Sequence, residues 1–139
     1  MKLQKETSTL NSVSMYKPKV LIIDDCSDYL DIMEISLERS GFQAITKNSS
    51  KEISSLIKKH KIDILLLDIT MPDGCGKTFC KELKSNPQTN YFPIIMISGN
   101  PGIMQEFPEF NANDAIEKPV NFKVLIEKIN LQLGRTVGI

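Results

Sequence analysis

The chain has few of the residues and segments that mark several functional classes. Its 139 residues include one histidine and three cysteines, Cys26, Cys75 and Cys80, with no C-x-x-C pair. A single histidine and this cysteine spacing argue against a zinc site. The polar N-terminus lacks the apolar core of a secretory signal. An odd number of cysteines without an export signal is typical of reduced thiols, so we expect a cytoplasmic protein.

An excess of either charge is also missing. Seventeen basic residues balance seventeen acidic ones, which gives a formal net charge of +0. Such a chain has no bulk attraction for nucleic acid or an anionic membrane, so we expect it to bind neither directly. No apolar run approaches the roughly 18 residues that a membrane-spanning helix needs. The composition predicts a flexible N-terminal tail over residues 1–17 and a single domain over residues 18–139.

Short apolar runs alternate with amphipathic segments along the chain. The runs are Val20–Ile23, Phe42–Thr46, Ile62–Leu67, Pro93–Ile97 and the weaker Ala115–Ile116. Runs of Val, Ile and Leu without polar alternation favour strands that are buried on both faces of a parallel sheet. The alternation of strand and helix patterns predicts an α/β fold, a doubly wound parallel sheet with helices on both faces.

The helical segments carry recognisable boundary signals. Gly41 is a candidate stop for a helix over Ser27–Ser40, and Asn121 is a candidate N-cap for the last helix. Ser49 to Glu52 has the spacing of a capping box. Between Gly102 and Phe110 we expect a short or irregular helix, because Pro108 would break a regular helix interior.

Polar residues follow directly after the apolar runs. Asp24 and Asp25 end the first run, Asp68 the third, Ser98 the fourth, and Lys118 with Pro119 follows the last. In a doubly wound sheet, ligands bind at the carboxyl ends of the strands. We therefore expect three carboxylates, a hydroxyl and an ammonium to meet at one edge of the sheet.

This set of side chains is suited to phosphoryl transfer. Clustered carboxylates attract a hard divalent cation such as Mg²⁺, which prefers oxygen ligands. The Asp68 carboxylate, at the centre of the sheet, could attack phosphorus and form an acyl phosphate. The Lys118 ammonium, the Ser98 hydroxyl and the metal could then neutralise and orient the transferred group.

These residues resemble those of the bacterial response-regulator receiver domain. The matching stretches are Val20–Asp25, Ile64–Pro72, Pro93–Gly99 and Ala112–Pro119, and the resemblance covers about Lys19 to Leu133. It implies a flavodoxin-like sheet of five parallel strands in the order 2-1-3-4-5. It also implies a phosphohistidine donor on a sensor histidine kinase or a histidine phosphotransfer protein.

The resemblance assigns a role to each matching position. It implies that Asp68 is the phosphoacceptor, that Asp24, Asp25 and Asp68 hold Mg²⁺, and that the Thr70 backbone carbonyl is a further ligand. Ser98 resembles the switch hydroxyl of the family and Lys118 the lysine that pairs with the phosphoryl group. Pro119 resembles the neighbouring proline, often in a cis peptide bond. Two variable positions, Thr70 and Asn100, would flank the path of a hydrolytic water and tune the lifetime of the acyl phosphate.

Three positions depart from the family pattern. Ala115 stands where an aromatic residue normally swings inward on activation, and Pro108 interrupts the fourth helix, which belongs to a common output face. Cys75 replaces the usual Asp in the loop after Asp68. The first two departures concern how the domain reports phosphorylation, and not whether Asp68 accepts a phosphoryl group.

We expect a single-domain signalling protein and no enzyme, one that catalyses only its own phosphorylation and dephosphorylation. The chain ends shortly after the last helix, so output would pass through a downstream protein target or onward phosphotransfer. One alternative is a pseudo-receiver that binds partners without phosphorylation. A second is a haloacid-dehalogenase-like phosphatase, which would need an Asp where Thr70 stands. A third, a flavin-binding protein, would need a phosphate-binding loop in place of Asp24 and Asp25.

Overall fold

The computed structural model describes residues 16–51, 53–70 and 76–135, and over these residues strands and helices alternate along the chain. The strands are β1 (Lys19–Ile23), β2 (Gln43–Lys47), β3 (Ile64–Asp68), β4 (Ile94–Ser98) and β5 (Asp114–Glu117). The helices are α1 (Ser27–Arg39), α2 (Ile53–His60), α3 (Gly76–Ser85), α4 (Ile103–Glu106) and α5 (Phe122–Gln132). A 3₁₀ turn (Phe107–Phe110) follows α4 without a break.

The five strands form one parallel sheet in the order β2-β1-β3-β4-β5. Strand β3 is central, and all five of its residues are buried. The predicted fold class and strand order are therefore confirmed. The register pairs Ile23 with Leu67, Asp68 with Ile97 and Ser98 with Glu117, so the carboxyl ends of neighbouring strands lie at one edge.

The hydrophobic core has two layers, one on each face of the sheet. Alternate strand residues supply the two layers, because successive side chains of a strand point to opposite faces. On one face, β-strand side chains pack against Leu30 and Met33 of α1 and Leu125 of α5. On the other face they pack against α2, α3 and α4, with Ile57 and Leu83 among the helix residues. This accounts for apolar runs that show no polar alternation.

Two of the predicted boundary signals are confirmed, the glycine that follows α1 and the asparagine that caps α5. Gly41 follows α1 with φ 94° and Gly134 follows α5 with φ 70°, backbone conformations that glycine adopts without strain. The Asn121 side chain accepts a hydrogen bond from the Val124 N–H at 3.2 Å and caps α5. Of the predicted capping box, Glu52 lies outside the described residues; the Ser49 hydroxyl accepts from the Lys51 N–H at 3.1 Å.

The fourth helix is short, as predicted. It has four residues and changes to the 3₁₀ turn, which contains Pro108 and ends at Asn111 in the left-handed region with φ 64°. Proline lacks the N–H that a continuing α-helix would need at this point. Most of the predicted tail, and Cys75 in the loop after β3, lie outside the described residues. None of the helices in the described part is long and apolar enough to cross a bilayer.

Candidate functional site

The predicted site residues meet at the carboxyl edge of the sheet. Backbone hydrogen bonds continue the ladder beyond the strands: the Asp24 N–H donates to the Lys47 carbonyl at 3.1 Å, and the Lys118 N–H to the Ser98 carbonyl at 2.7 Å. Asp68 is the last residue of β3, between them. Because neighbouring strands end at the same edge, residues that are 44 to 94 positions apart in the sequence lie beside one another.

Three carboxylates form a compact cluster at this edge. Asp24, Asp25 and Asp68 each offer an oxygen, and these oxygens lie within 4.8 Å of one another. Asp24 and Asp68 are each 1% exposed, whereas Asp25 is exposed. Burial raises the pKa of Asp24, and the charge of Asp68 adds to that shift, although the Cys26 N–H and Lys118 oppose it. Ionisation of Asp24 therefore costs more free energy in the folded protein than in the unfolded chain.

Lys118 bridges the two buried carboxylates. Its Nζ lies 3.0 Å from Asp24 Oδ2 and 3.3 Å from Asp68 Oδ2. Burial alone lowers the pKa of Lys118, but the hydrogen bond with Asp24 and the charges of Asp68 and Asp24 outweigh it, so the net pKa is raised. Lys118 is thus protonated at neutral pH, and its ammonium lies where it could neutralise an anionic group attached to Asp68.

Thr70 holds the other oxygen of Asp68. The Thr70 N–H and hydroxyl both donate to Asp68 Oδ1, at 3.0 Å and 2.7 Å. An Asp side chain commonly accepts from the backbone two residues on, which makes this a local turn. The resemblance implied that Thr70 binds the metal through its carbonyl and tunes the lifetime of the acyl phosphate, but it did not indicate this contact with Asp68. The Asp-x-Thr spacing is the signal that could have indicated it.

Ser98 and Asn100 both stabilise the β4–α4 loop. The buried Ser98 hydroxyl accepts from the Asn100 N–H at 3.0 Å, and the exposed Asn100 accepts through Oδ1 from the Gly102 N–H at 2.9 Å. Ser98 is therefore at the predicted edge, one residue past the strand position that pairs with Asp68. The switch role of Ser98 and the tuning role of Asn100 stay predictions.

Ala115 is fully buried in the layer that faces α3 and α4. It pairs with Met96 in the β4–β5 register, and Phe107 and Phe110 of the 3₁₀ turn pack against the same layer. Aromatic side chains are thus present near β5, but they come from the 3₁₀ turn. Pro119 follows Lys118 through a cis peptide bond, as the resemblance implied.

Tyr29 of α1 is a site neighbour that sequence reasoning missed. The Lys118 Nζ lies 5.0 Å from the centroid of the Tyr29 ring. Burial raises the pKa of Tyr29, while the charge of Lys118 lowers it and those of Asp24 and Asp68 raise it. The position of Tyr29, four residues past the acidic pair, was an available signal, but such a residue is more often simply part of a helix face.

The donor set fits a magnesium ion. All three clustered side chains offer carboxylate oxygen, the ligand type that Mg²⁺ prefers. Among the described residues, the one ammonium in contact with the cluster is that of Lys118. Three carboxylates against one ammonium leave two negative charges in excess, which is the charge of one divalent cation. Asp24, Asp25 and Asp68 are therefore the residues that would hold the metal.

Comparison with known proteins shows the family. The sequence model of the response regulator receiver domain matches residues 20–130, most of the chain. The chain belongs to this family, the receiver domain of two-component response regulators. Among curated relatives, the transcriptional regulatory protein YxdJ of Bacillus subtilis is 29% identical over 122 residues, 86% of this chain and 52% of that protein. The regulatory protein VanR of Enterococcus faecium is 30% identical over 119 residues, 84% of this chain and 50% of that protein.

This chain thus spans about half the length of both relatives.

Solved structures agree on the fold. The CheY-like receiver domain protein of Methanospirillum hungatei has a TM-score of 0.76 at 26% identity, over 86% of this chain and 95% of that one. The chemotaxis response regulator CheY4 of Vibrio cholerae also has a TM-score of 0.76, at 24% identity, over 85% of this chain and all of that one.

Proposed function

We propose that this receiver domain accepts a phosphoryl group on Asp68 from a phosphohistidine, with Mg²⁺ bound at the acidic cluster. The donor would be a sensor histidine kinase or a histidine phosphotransfer protein. The phosphorylated domain would then act on a downstream protein target through altered binding, or pass the phosphoryl group onward. The proposal places the domain in the cytoplasm, where a kinase has access to ATP.

One observation carries the proposal. The Asp68 carboxylate lies at the end of the central strand, with Lys118 on one oxygen, Thr70 on the other, and two further carboxylates within 4.8 Å. A buried ion pair is weak evidence for stability, because desolvation offsets its attraction. Three clustered carboxylates with one ammonium between two of them cost free energy, and a bound divalent cation would offset that cost. The arrangement is therefore better explained by chemistry than by stability.

The reaction that this geometry supports is an attack on phosphorus by an Asp68 oxygen. An O–P bond forms between the Asp68 carboxylate and phosphorus, the P–N bond of the phosphohistidine breaks, and its electron pair returns to the imidazole nitrogen. Lys118 is placed to neutralise charge on the phosphoryl oxygens, and Ser98 supplies a hydroxyl at the same edge. A bound Mg²⁺ would add charge neutralisation of those oxygens. Asp24, Asp25, Asp68 and the Thr70 carbonyl would be its protein ligands.

Catalysis in this proposal is confined to the chain itself. Asp68 takes up the phosphoryl group in one step and loses it to water or to a second histidine in another, so the catalysed steps are the domain's own phosphorylation and dephosphorylation. Thr70 lies against Asp68 Oδ1 and Asn100 lies two residues past Ser98, and we propose that both influence the access of the hydrolytic water.

Phosphorylation can be tested without a cognate kinase. Phosphoramidate carries the same P–N bond as phosphohistidine, so incubation with phosphoramidate and Mg²⁺, followed by intact mass spectrometry, should show one added phosphoryl group. Asp68→Asn should show none. Asp31→Asn, which changes an exposed aspartate on α1, is the matched control and should be labelled like the unmodified chain.

Each outcome of this experiment has a distinct meaning. Labelling that persists in Asp68→Asn would place the phosphoacceptor elsewhere. An unchanged mass in every variant would contradict the proposal and favour a receiver that binds partners without phosphorylation. Labelling that is unaffected by EDTA would refute the role of the divalent cation while leaving Asp68 as the acceptor.

A further inference from the structure

Lys118 is held on a third side, by the face of a tyrosine. Its Nζ lies 3.0 Å from Asp24 Oδ2, 3.3 Å from Asp68 Oδ2 and 5.0 Å from the Tyr29 ring centroid. A cation within about 6 Å of a ring centroid is attracted by the negative face of the ring. The ammonium therefore sits between two carboxylate oxygens and an aromatic face.

We propose that Tyr29 is a positioning residue for Lys118, whose ring keeps the ammonium over Asp68 while the carboxylate contacts change. The inference rests on the proposed phosphorylation of Asp68. A phosphoryl group on Asp68, or a cation at the acidic cluster, alters the charge that Lys118 meets on its carboxylate side. The Tyr29 ring undergoes no such change, so it is the contact that persists through the reaction.

The ring is well placed for this role because α1 fixes it. Tyr29 lies in the first turn of α1, next to Leu30, which is buried in the core. Val120 and Phe122, which lie just beyond the Lys118–Pro119 bond, pack against the same core layer as Tyr29. Lys118 itself has a long, flexible side chain that is 27% exposed, and such a chain needs neighbours to hold it in one rotamer.

The ring, and not the hydroxyl, makes this contact. The Tyr29 hydroxyl is buried and has no hydrogen bond of ordinary geometry with the described residues. The Val120 backbone lowers the pKa of Tyr29, but by less than any of the other causes. Burial raises that pKa, so the ring stays neutral at physiological pH and keeps the electron-rich face that attracts a cation. Phenylalanine at position 29 should therefore still position Lys118, whereas an aliphatic residue should not.

The first test compares Tyr29→Phe and Tyr29→Leu in the rate of labelling by phosphoramidate at fixed Mg²⁺. Tyr29→Phe should label within about twofold of the unmodified chain, and Tyr29→Leu about three- to tenfold more slowly, the range expected for a partly desolvated cation–π contact. In a Lys118→Ala background, Tyr29→Leu should slow labelling no further. Equal slowing in both backgrounds would show that Tyr29 acts without Lys118 and would overturn the inference.

The second test needs no phosphorylation. Protons above an aromatic ring are shifted upfield by the ring current. The Lys118 ε-methylene protons should therefore resonate upfield of those of the other lysines in the unmodified chain and in Tyr29→Phe. In Tyr29→Leu they should return to the ordinary lysine position. An ordinary shift in the unmodified chain would refute the contact. If the chain takes up no phosphoryl group at all, the proposed function fails while this measurement still decides whether Tyr29 seats Lys118.

Discussion

Gly76 offers a strict test of how the site is joined to α3. A Cβ built on Gly76 would lie 2.8 Å from the Ile69 Cα and 3.1 Å from its Cγ2. The first contact is closer than folded proteins tolerate and involves backbone, so no side-chain rotation relieves it. Ile69 follows Asp68 and is tied to β4 by a 3.1 Å hydrogen bond to the Ile97 carbonyl. Gly76→Ala must therefore move either α3 or the backbone next to the phosphoacceptor.

The expected cost of Gly76→Ala is about 1–3 kcal/mol of unfolding free energy, as for other overpacked sites. That would lower the Tm by about 2–4 °C for each kcal/mol. Urea unfolding followed by circular dichroism measures it. Gly99→Ala is the matched control, because a Cβ on Gly99 meets nothing within 4 Å and its φ is not positive. A Gly76→Ala chain as stable as the unmodified one, with the same rate of labelling on Asp68, would refute the reasoning.

Three further predictions follow from burial and charge. In EDTA at neutral pH, Asp24→Asn should raise the Tm, because burial raises the pKa of Asp24 and its ionised form destabilises the folded state. The gain in Tm should shrink as the pH falls through the pKa of Asp24 in the folded protein toward 3.8, where Asp24 of the unfolded chain also binds a proton. At pH 8, peptide mapping after alkylation should find Cys26 modified and Cys80 protected, since Cys80 is fully buried with a pKa of about 11 and is a thiolate in roughly one molecule per thousand. Ala115→Phe should lower the unfolding free energy by about 1–3 kcal/mol in urea titrations, because Ala115 is fully buried; an unchanged value would show that the layer has room for the ring.

The architecture could be predicted from sequence because its signals are local and redundant. The uninterrupted apolar runs that became β1, β3 and β4 are typical of strands buried on both faces of a parallel sheet with helices on each side. Once the strands are parallel, their ends coincide, and the polar residues after each run must meet. The juxtaposition of Asp24, Asp68 and Lys118 thus follows from strand order and length alone.

The contacts of individual side chains were less predictable, because they depend on rotamers and on neighbours from other elements. The role predicted for the Thr70 carbonyl stays a prediction, and the sequence did not indicate that the Thr70 N–H and hydroxyl both donate to Asp68 Oδ1. The proximity of Tyr29 to Lys118 joins α1 to the segment after β5, 89 positions later, and no pattern within either segment indicates it. The short fourth helix was predictable from Pro108, but the packing of Phe107 and Phe110 beside Ala115 was not.

How a phosphoryl group would alter the rest of the domain follows from which contacts it must break. Both Asp68 oxygens are already engaged, Oδ1 by Thr70 and Oδ2 by Lys118. A phosphoryl group on either oxygen removes an acceptor, so the displaced donor must move to the phosphoryl oxygens or lose its partner. Lys118 is the better connected of the two donors, because its own N–H bonds the Ser98 carbonyl at 2.7 Å.

The backbone that carries Lys118 is thus bonded to the end of β4, and the Ser98 hydroxyl accepts a hydrogen bond from the Asn100 N–H in the loop that leads to α4. Beyond that loop, Glu106 of α4 accepts from the Lys77 Nζ of α3 at 3.1 Å, and the same ammonium lies 5.1 Å from the Phe110 ring centroid. Hydrogen bonds from the Gly102 N–H to Asn100 and from the Glu106 N–H to the Gly102 carbonyl join the loop to α4, so a series of contacts connects Asp68 to the 3₁₀ turn without passing through Ala115. If Asp68 is phosphorylated as proposed, we therefore expect the β4–α4 loop and Phe110, and not the buried Ala115, to respond.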